Sequence, residues 1–231
     1  MANSNQKQEA PTMEQTLNKQ EAFFLKYKKA IVVGVLAVIV IIAGSLAYNT
    51  FYAGPREAKA STALAKAQEM FASQQYEKAL NGDKGVEGFL AVAKNYGSTD
   101  AANLANLYAG LCYANLEKWQ EAVKYLEEFS TESDALISPA SQAALGNAYA
   151  HVNQIDKAIS SLKKAASMAD SKANEGVNNS LSPSYLIQAA RLLESQNKND
   201  EALKIYQEIK TKYVNSPVSQ DIDKYIERLT K

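Results

Sequence analysis

Side-chain chemistry needs a nucleophile, an acid–base pair or a set of metal donors, and this chain is thin in all three. It carries one cysteine, Cys112, and one histidine, His151, in 231 residues. A single cysteine leaves no internal disulfide framework and no cysteine-based zinc site. Cys112 lies between Leu111 and Tyr113 in an apolar stretch, where a lone thiol reads as a small packing residue. His151 closes the stretch NAYAH, and Asp156 stands across a turn from it. It reads as a surface or groove residue rather than a ligand or a base. Glu127 and Glu128 are adjacent, and Asp221 and Asp223 are two apart; neither spacing puts two carboxylates on one helix face. There is no Gly-rich phosphate loop and no serine elbow. The sequence predicts no catalytic residue, no cofactor and no metal site, hence no enzyme.

The elements around these residues carry the information. Lys+Arg and Asp+Glu are equal at 25 each, so nothing points to nucleic acid, and no small-molecule substrate is expected. Glycine (10) and proline (5) are scarce, which favours helix over a turn-rich β fold. From Ala30 to Ala47 the chain reads AIVVGVLAVIVIIAGSLA, and no charge falls between Lys29 and Arg56. Ile, Val and Leu fill most of that run and contribute about −3 to −6 kcal/mol to membrane insertion. With Tyr48 to Tyr52 added, the run matches a hydrocarbon core of about 30 Å. A transmembrane helix is predicted over 29–52. Lys19, Lys26, Lys28 and Lys29 precede it, and only Arg56 and Lys59 follow closely. That bias predicts a cytoplasmic N-terminus, with 1–28 as a cytoplasmic tail, disordered over 1–12. Leu17, Phe24 and Tyr27 allow a short amphipathic helix within 13–29. A cleaved signal peptide, using Ser45-Leu46-Ala47, is the rival reading. The long acidic leader (Glu9, Glu14, Glu21) and the length of the apolar run oppose it.

Beyond the span the chain repeats itself. Gly110, Tyr113, Ala122, Leu126 and Phe129 correspond at an offset of 36 to Gly146, Tyr149, Ala158, Leu162 and Ala165. Ala190, Leu193, Ala202, Tyr206 and Ile209 follow at an offset of 44, the extra eight residues falling in the polar loop 171–184. Each unit reads as two antiparallel helices whose small residues allow close contact, and units must stack to bury their apolar faces. FLAVAKNYGST (89–99) resembles YQEIKTKYVNS (206–216), so a degenerate unit precedes the three, with one unbroken helix expected over 56–79. SQDIDKYIERLTK places Ile222, Tyr225, Ile226 and Leu229 on one face and reads as a capping helix. Pro139 stands five residues past the position usual for a repeat end, which predicts a loosened junction there.

The spacing G-x2-Y-x5-W-x2-A-x3-L-x2-F (110–129), kept in 146–165, resembles the tetratricopeptide repeat. The resemblance implies an all-α fold: one N-terminal transmembrane helix, then a tetratricopeptide-repeat α-solenoid with a C-terminal capping helix. The repeat domain is expected over 56–231, with a long helix and degenerate repeat (56–99), full repeats at 101–133, 138–170 and 183–217, and the cap at 218–231. In such domains the first helix of each pair lines the concave face. The groove positions then fall on Leu104, Leu107, Leu111, Asn115, Asn147, His151, Ile187, Arg191 and Glu194. The apolar share from the first repeat either takes a partner segment or packs on the preceding long helix. The layout, with FFLKYKKAIVVG (23–34) leading into the span, resembles the YfgM-like family of single-span inner-membrane proteins. That resemblance implies a periplasmic repeat domain, and Sec translocon subunits and periplasmic chaperones as partners. An envelope-assembly scaffold unrelated to secretion is the alternative.

Overall fold

The computed structural model describes residues 13–230. The polar tail expected over 1–12 lies outside the described residues. The chain divides into two units, Met1–Pro55 and Arg56–Lys231. In the first, helix α1 (Met13–Tyr48) is followed by a five-residue π segment, Asn49–Ala53. The apolar side chains of α1 are exposed, from Phe23 through Ile39 to Leu46. Among the described residues this is one helix long and apolar enough to cross a membrane. Tyrosines and phenylalanines flank the run: Phe23 meets Tyr27 at 4.8 Å, and Tyr48 meets Tyr52 at 5.3 Å. The Gly54 N–H donates to Asn49 O, the five-residue step that defines the π turn. A Cβ on Gly54 would lie 3.0 Å from that same oxygen.

The second unit is built of helix pairs: α2 (Gly54–Ala72) with α3 (Tyr76–Asn81) and α4 (Phe89–Asn95), α5 (Asp100–Asn115) with α6 (Trp119–Glu128), α7 (Ile137–His151) with α8 (Ile155–Ser171), and α9 (Ser182–Ser195) with α10 (Asn199–Lys212). Helix α11 (Ile222–Thr230) follows. One turn recurs in all four pairs. Gln74, Glu117, Asn153 and Asn197 each take φ of 58–59°. The next N–H in each case reaches back five residues: Gln75 to Met70, Lys118 to Tyr113, Gln154 to Tyr149 and Lys198 to Leu193, all at 2.8–2.9 Å. This is the left-handed helix stop that satisfies orphan carbonyls.

That turn corrects two expectations. Residues 56–79 are not one helix: the chain stops at Ala72 and restarts at Tyr76. The second helix of the first pair therefore begins at Tyr76, not near Phe89. It is interrupted by the loop 82–88 and resumes as α4. In that loop Asp83 and Val86 exchange backbone hydrogen bonds at 3.2 and 2.9 Å. Gly82 takes φ +88°, and a Cβ on Gly88 would lie 2.3 Å from Leu80 O. Only glycine lets the chain turn out and back so tightly.

The pairs close on small residues. Ala67, Gly110, Gly146 and Ala190 on the first helices are buried, as are Ala79, Ala122, Ala158 and Ala202 on the second. Phe89, Leu126, Leu162 and Tyr206 fill the space beside them. The junction before α7 is tied down rather than loosened. The Asp134 carboxylate accepts from the N–H groups of Leu136, Ile137 and Ser138 at 2.6–3.2 Å and from Ser138 Oγ. Asn103 of α5 and Ser130 exchange bonds at 2.8–2.9 Å, which pins the start of that junction to α5. Pro139 sits in the first turn of α7, so it opens the next helix instead of ending the previous one.

Candidate protein-interaction surface

The nine groove positions have different fates. On α5, Leu107 is buried with Ala122, Leu126 and Ala148. Leu104 is half-buried against that cluster and against the cluster holding Ala60 and Leu64 of α2. Leu111 is half-buried in the α5–α8 cluster. The apolar share of the groove is thus largely packed on neighbouring helices, α2 among them. Asn115 is exposed, and its amide donates to Leu111 O of its own helix at 2.8 Å. Asn147 is exposed on α7.

His151, at the end of α7, lies flat on Trp119 at the start of α6, with ring centroids 3.6 Å apart and planes 3° apart. This joins two successive pairs at the turn edge. His151→Ala should cost about 0.5–1.5 kcal/mol of stability, read by urea unfolding.

On α9, half-buried Ile187 packs on the C-terminal core. Arg191 Nη2 donates to the Tyr225 hydroxyl at 2.6 Å. Glu194 accepts from Arg228 at 2.7 and 2.8 Å and from the Tyr206 hydroxyl. Arg191 and Glu194 are thus brought together by α11.

The remaining reactive groups are spoken for. Cys112 is fully buried, and burial pushes its thiol up to about 12. It is protonated at neutral pH and chemically quiet. Glu127 accepts from the Tyr149 hydroxyl. Asp221 pairs with Lys224 at 2.5 Å and Asp223 with Lys210 at 2.6 Å. Among the described residues, no group of three or more His, Cys, Asp or Glu is placed to hold a metal ion. An open cleft of about 740 Å³ between α8 and α10 is lined by both signs of charge, Lys163 and Lys204 beside Glu201 and Glu208.

One cluster has no signal in the sequence pattern. Asp170, at the end of α8, accepts from Lys212 Nζ at 2.6 Å, the Tyr213 hydroxyl at 2.7 Å, Ser182 Oγ at 2.6 Å and Asn178 N at 2.9 Å. It ties the 171–184 loop, the start of α9 and the end of α10 to one carboxylate. Its partners lie 8 to 43 residues away in the chain, beyond the reach of any local spacing.

A family model described as T7SS, ESX-1 secretion system protein EccA1, N-terminal domain, matches residues 30–223. Among solved structures, the TPR-like repeats of a kinesin light chain from Podosopora anserina match with a TM-score of 0.55. They are 16% identical and cover 75% of this chain and 86% of theirs. A glutamine-to-methionine variant of that protein matches with the same TM-score and identity, covering 75% of this chain and 85% of its own. No curated protein sequence matches the chain. At that identity the likeness speaks for the fold: tetratricopeptide-like helix pairs stacked in a solenoid.

Proposed function

We propose that this chain, which belongs to the EccA1 N-terminal domain family, is a membrane-anchored, non-catalytic scaffold for protein–protein interaction. The observation that carries the reading is the fourfold recurrence of one helix–turn–helix pair, with Gln74, Glu117, Asn153 and Asn197 in the same turn. Stacked pairs of this kind present an extended surface rather than an enclosed pocket. The exposed apolar face of α1 supports an anchor, and the lysines before it favour a cytoplasmic N-terminus. An anchor confines the solenoid to a membrane face and raises its effective concentration toward other membrane proteins.

The finer reading places the solenoid on the periplasmic face of the inner membrane, ancillary to the Sec translocon and to periplasmic chaperones. It rests on the YfgM-like layout of span and repeats. The family's name, that of a secretion-system protein, also favours a role in protein export. The test is affinity purification in mild detergent with mass spectrometry, on the full chain and on residues 56–231. Translocon subunits following only the full chain, with chaperones following both, support the reading. Absence of both classes removes the export role and leaves an envelope scaffold.

The anchor has its own test. Val38→Arg with Ile41→Arg adds about 2.5–3.5 kcal/mol per arginine at the helix centre, against about −3 to −6 kcal/mol from the whole apolar run. The double variant is expected in the soluble fraction after an alkaline carbonate wash, and the unmodified chain in the pellet.

A further inference from the structure

Arg191 and Glu194 correspond in the repeat to Asn147 and Ala150 of α7 and to Leu111 and Ala114 of α5. Leu111 and Ala114 pack against apolar residues of α7 and α8, whereas Arg191 and Glu194 make side-chain hydrogen bonds to a later segment of the chain. Tyr225 takes the hydrogen bond of Arg191, and Arg228 makes a two-pronged pair with Glu194 at 2.7 and 2.8 Å. Around these polar contacts, Ile222, Tyr225, Ile226 and Leu229 pack on the C-terminal core, and Tyr225 meets Tyr206 at 5.3 Å. The spacing i, i+3, i+4, i+7 is that of an amphipathic helix laid on an apolar surface.

The attachment of this helix rests on few groups, with the Arg228–Glu194 pair chief among its polar ties. It has nine residues, and Ile222 alone is buried; Tyr225, Ile226 and Leu229 are half-buried. A helix of that length does not persist in water by itself. Its ion pair to Lys210 is solvent-exposed on both sides, and such pairs add little. It hangs from the short 3-10 segment Pro217–Gln220.

We infer that α11 occupies in cis a surface of α9 and α10 at which a partner protein docks an amphipathic helix of the same pattern. The occupant's chemistry is written in α11. It has aliphatic residues at the first, fifth and eighth positions, an aromatic hydroxyl at the fourth for Arg191, and an arginine at the seventh for Glu194. Tethered α11 competes at high effective concentration, so it sets the affinity a partner must exceed. The inference rests on the scaffold reading and names one of its surfaces.

The test uses the full chain in detergent and, as probe, a labelled peptide of residues 216–231, SPVSQDIDKYIERLTK. Ile222→Asp with Leu229→Asp frees α11 from its seat. The freed variant is expected to bind the peptide at least tenfold more tightly than the unmodified chain. Adding Glu194→Arg should abolish that gain, and a peptide carrying Arg228→Glu should restore it. Hydrogen exchange on the unmodified chain needs no variant: amides of 225–229 should exchange well before those of Leu193 and Tyr206. Exchange of α11 together with α9 overturns the inference, as does a folded variant that ignores the peptide. A stable dimer that trades α11 between copies also overturns it, because the occupant is then a second copy. Failure to capture export partners leaves the peptide result untouched, so the two readings fail separately.

Discussion

Asp170→Ala is expected to lower the stability of the solenoid by about 2–4 kcal/mol, with a fall in Tm of roughly 5–15 °C. Asp170 is 8% exposed, and its carboxylate accepts four hydrogen bonds, from Lys212, Tyr213, Ser182 and Asn178. Removing it leaves the buried Tyr213 hydroxyl short of its acceptor, while the Ser182 hydroxyl can turn its one proton to Ala166 O at 2.9 Å. Lys212 is partly exposed and can rehydrate, which keeps the cost below that of a fully buried broken pair. The loss also frees the 171–184 loop, so protease cleavage there should rise with the destabilisation. The same group gives a pH signature. Burial pushes the Asp170 carboxyl up, but the hydrogen bonds from Lys212, Ser182, Asn178 N and Tyr213 outweigh it and hold the group below its ordinary value of 3.8. A folded-state value below the unfolded one contributes stability that is complete above the unfolded value and is lost as pH falls through the folded one. Asp134, held low in the same way by its capping bonds, acts over the same range. Thermal unfolding from pH 7 to pH 2 should therefore show a gap between the unmodified chain and Asp170→Asn that closes below about pH 4. A gap unchanged at pH 2 would contradict this account.

How much of this was legible in the sequence follows from what each feature depends on. The contacts that recur are periodic, so they can be read: Gly110 and Gly146, Ala122, Ala158 and Ala202 stand out at fixed offsets. The first pair broke the period. The loop 82–88 lies inside its second helix, so aligning Phe89–Tyr96 with Tyr206–Tyr213 captured the end of the helix and missed its start. The start was available: Tyr76 and Ala79 have the spacing of Trp119 and Ala122. The left-handed turn at Gln74 was not, because glutamine carries no preference for positive φ. The groove positions were partly readable. Periodicity says which residues face one side of a helix, but not that Leu107 is covered by α6 and α7, nor that α11 reaches Arg191 and Glu194. The Asp170 cluster was beyond reading, because its residues meet only after three helices have packed.

Gly110→Ala tests whether that close packing shapes the solenoid. In the middle of a helix, glycine to alanine should gain about 0.5–1 kcal/mol from propensity alone. Here the added Cβ would sit 2.6 Å from Leu126 Cγ and 3.1 Å from Leu126 N. The side chain can turn aside, but the backbone nitrogen cannot without moving α6. Overpacking of this kind costs about 1–3 kcal/mol, so the balance is a loss of about 1–2 kcal/mol for alanine, and Gly110→Val should lose about 3 kcal/mol or more. Gly146 is less tight, with Leu162 Cγ at 2.9 Å and Ala158 O at 3.2 Å, and Gly146→Ala should cost less. Ala190 already carries a Cβ at the corresponding position, where Tyr206 replaces the leucine. Ala190→Gly should therefore show only the propensity loss and a small cavity. Because Leu126 is the group in the way, Gly110→Ala should be milder in a Leu126→Ala background than the two single changes predict. Urea unfolding of the four proteins in that cycle measures the coupling. Additive losses would mean that the obstacle is the α6 backbone at Leu126 N rather than the Leu126 side chain. The functional consequence follows from the geometry. The separation within a pair sets the rotation from one repeat to the next. A wedge between α5 and α6 shifts Leu104 and Leu111 against their neighbours and bends the presented surface. Partner capture should thus weaken in Gly110→Ala even at temperatures where the protein is fully folded.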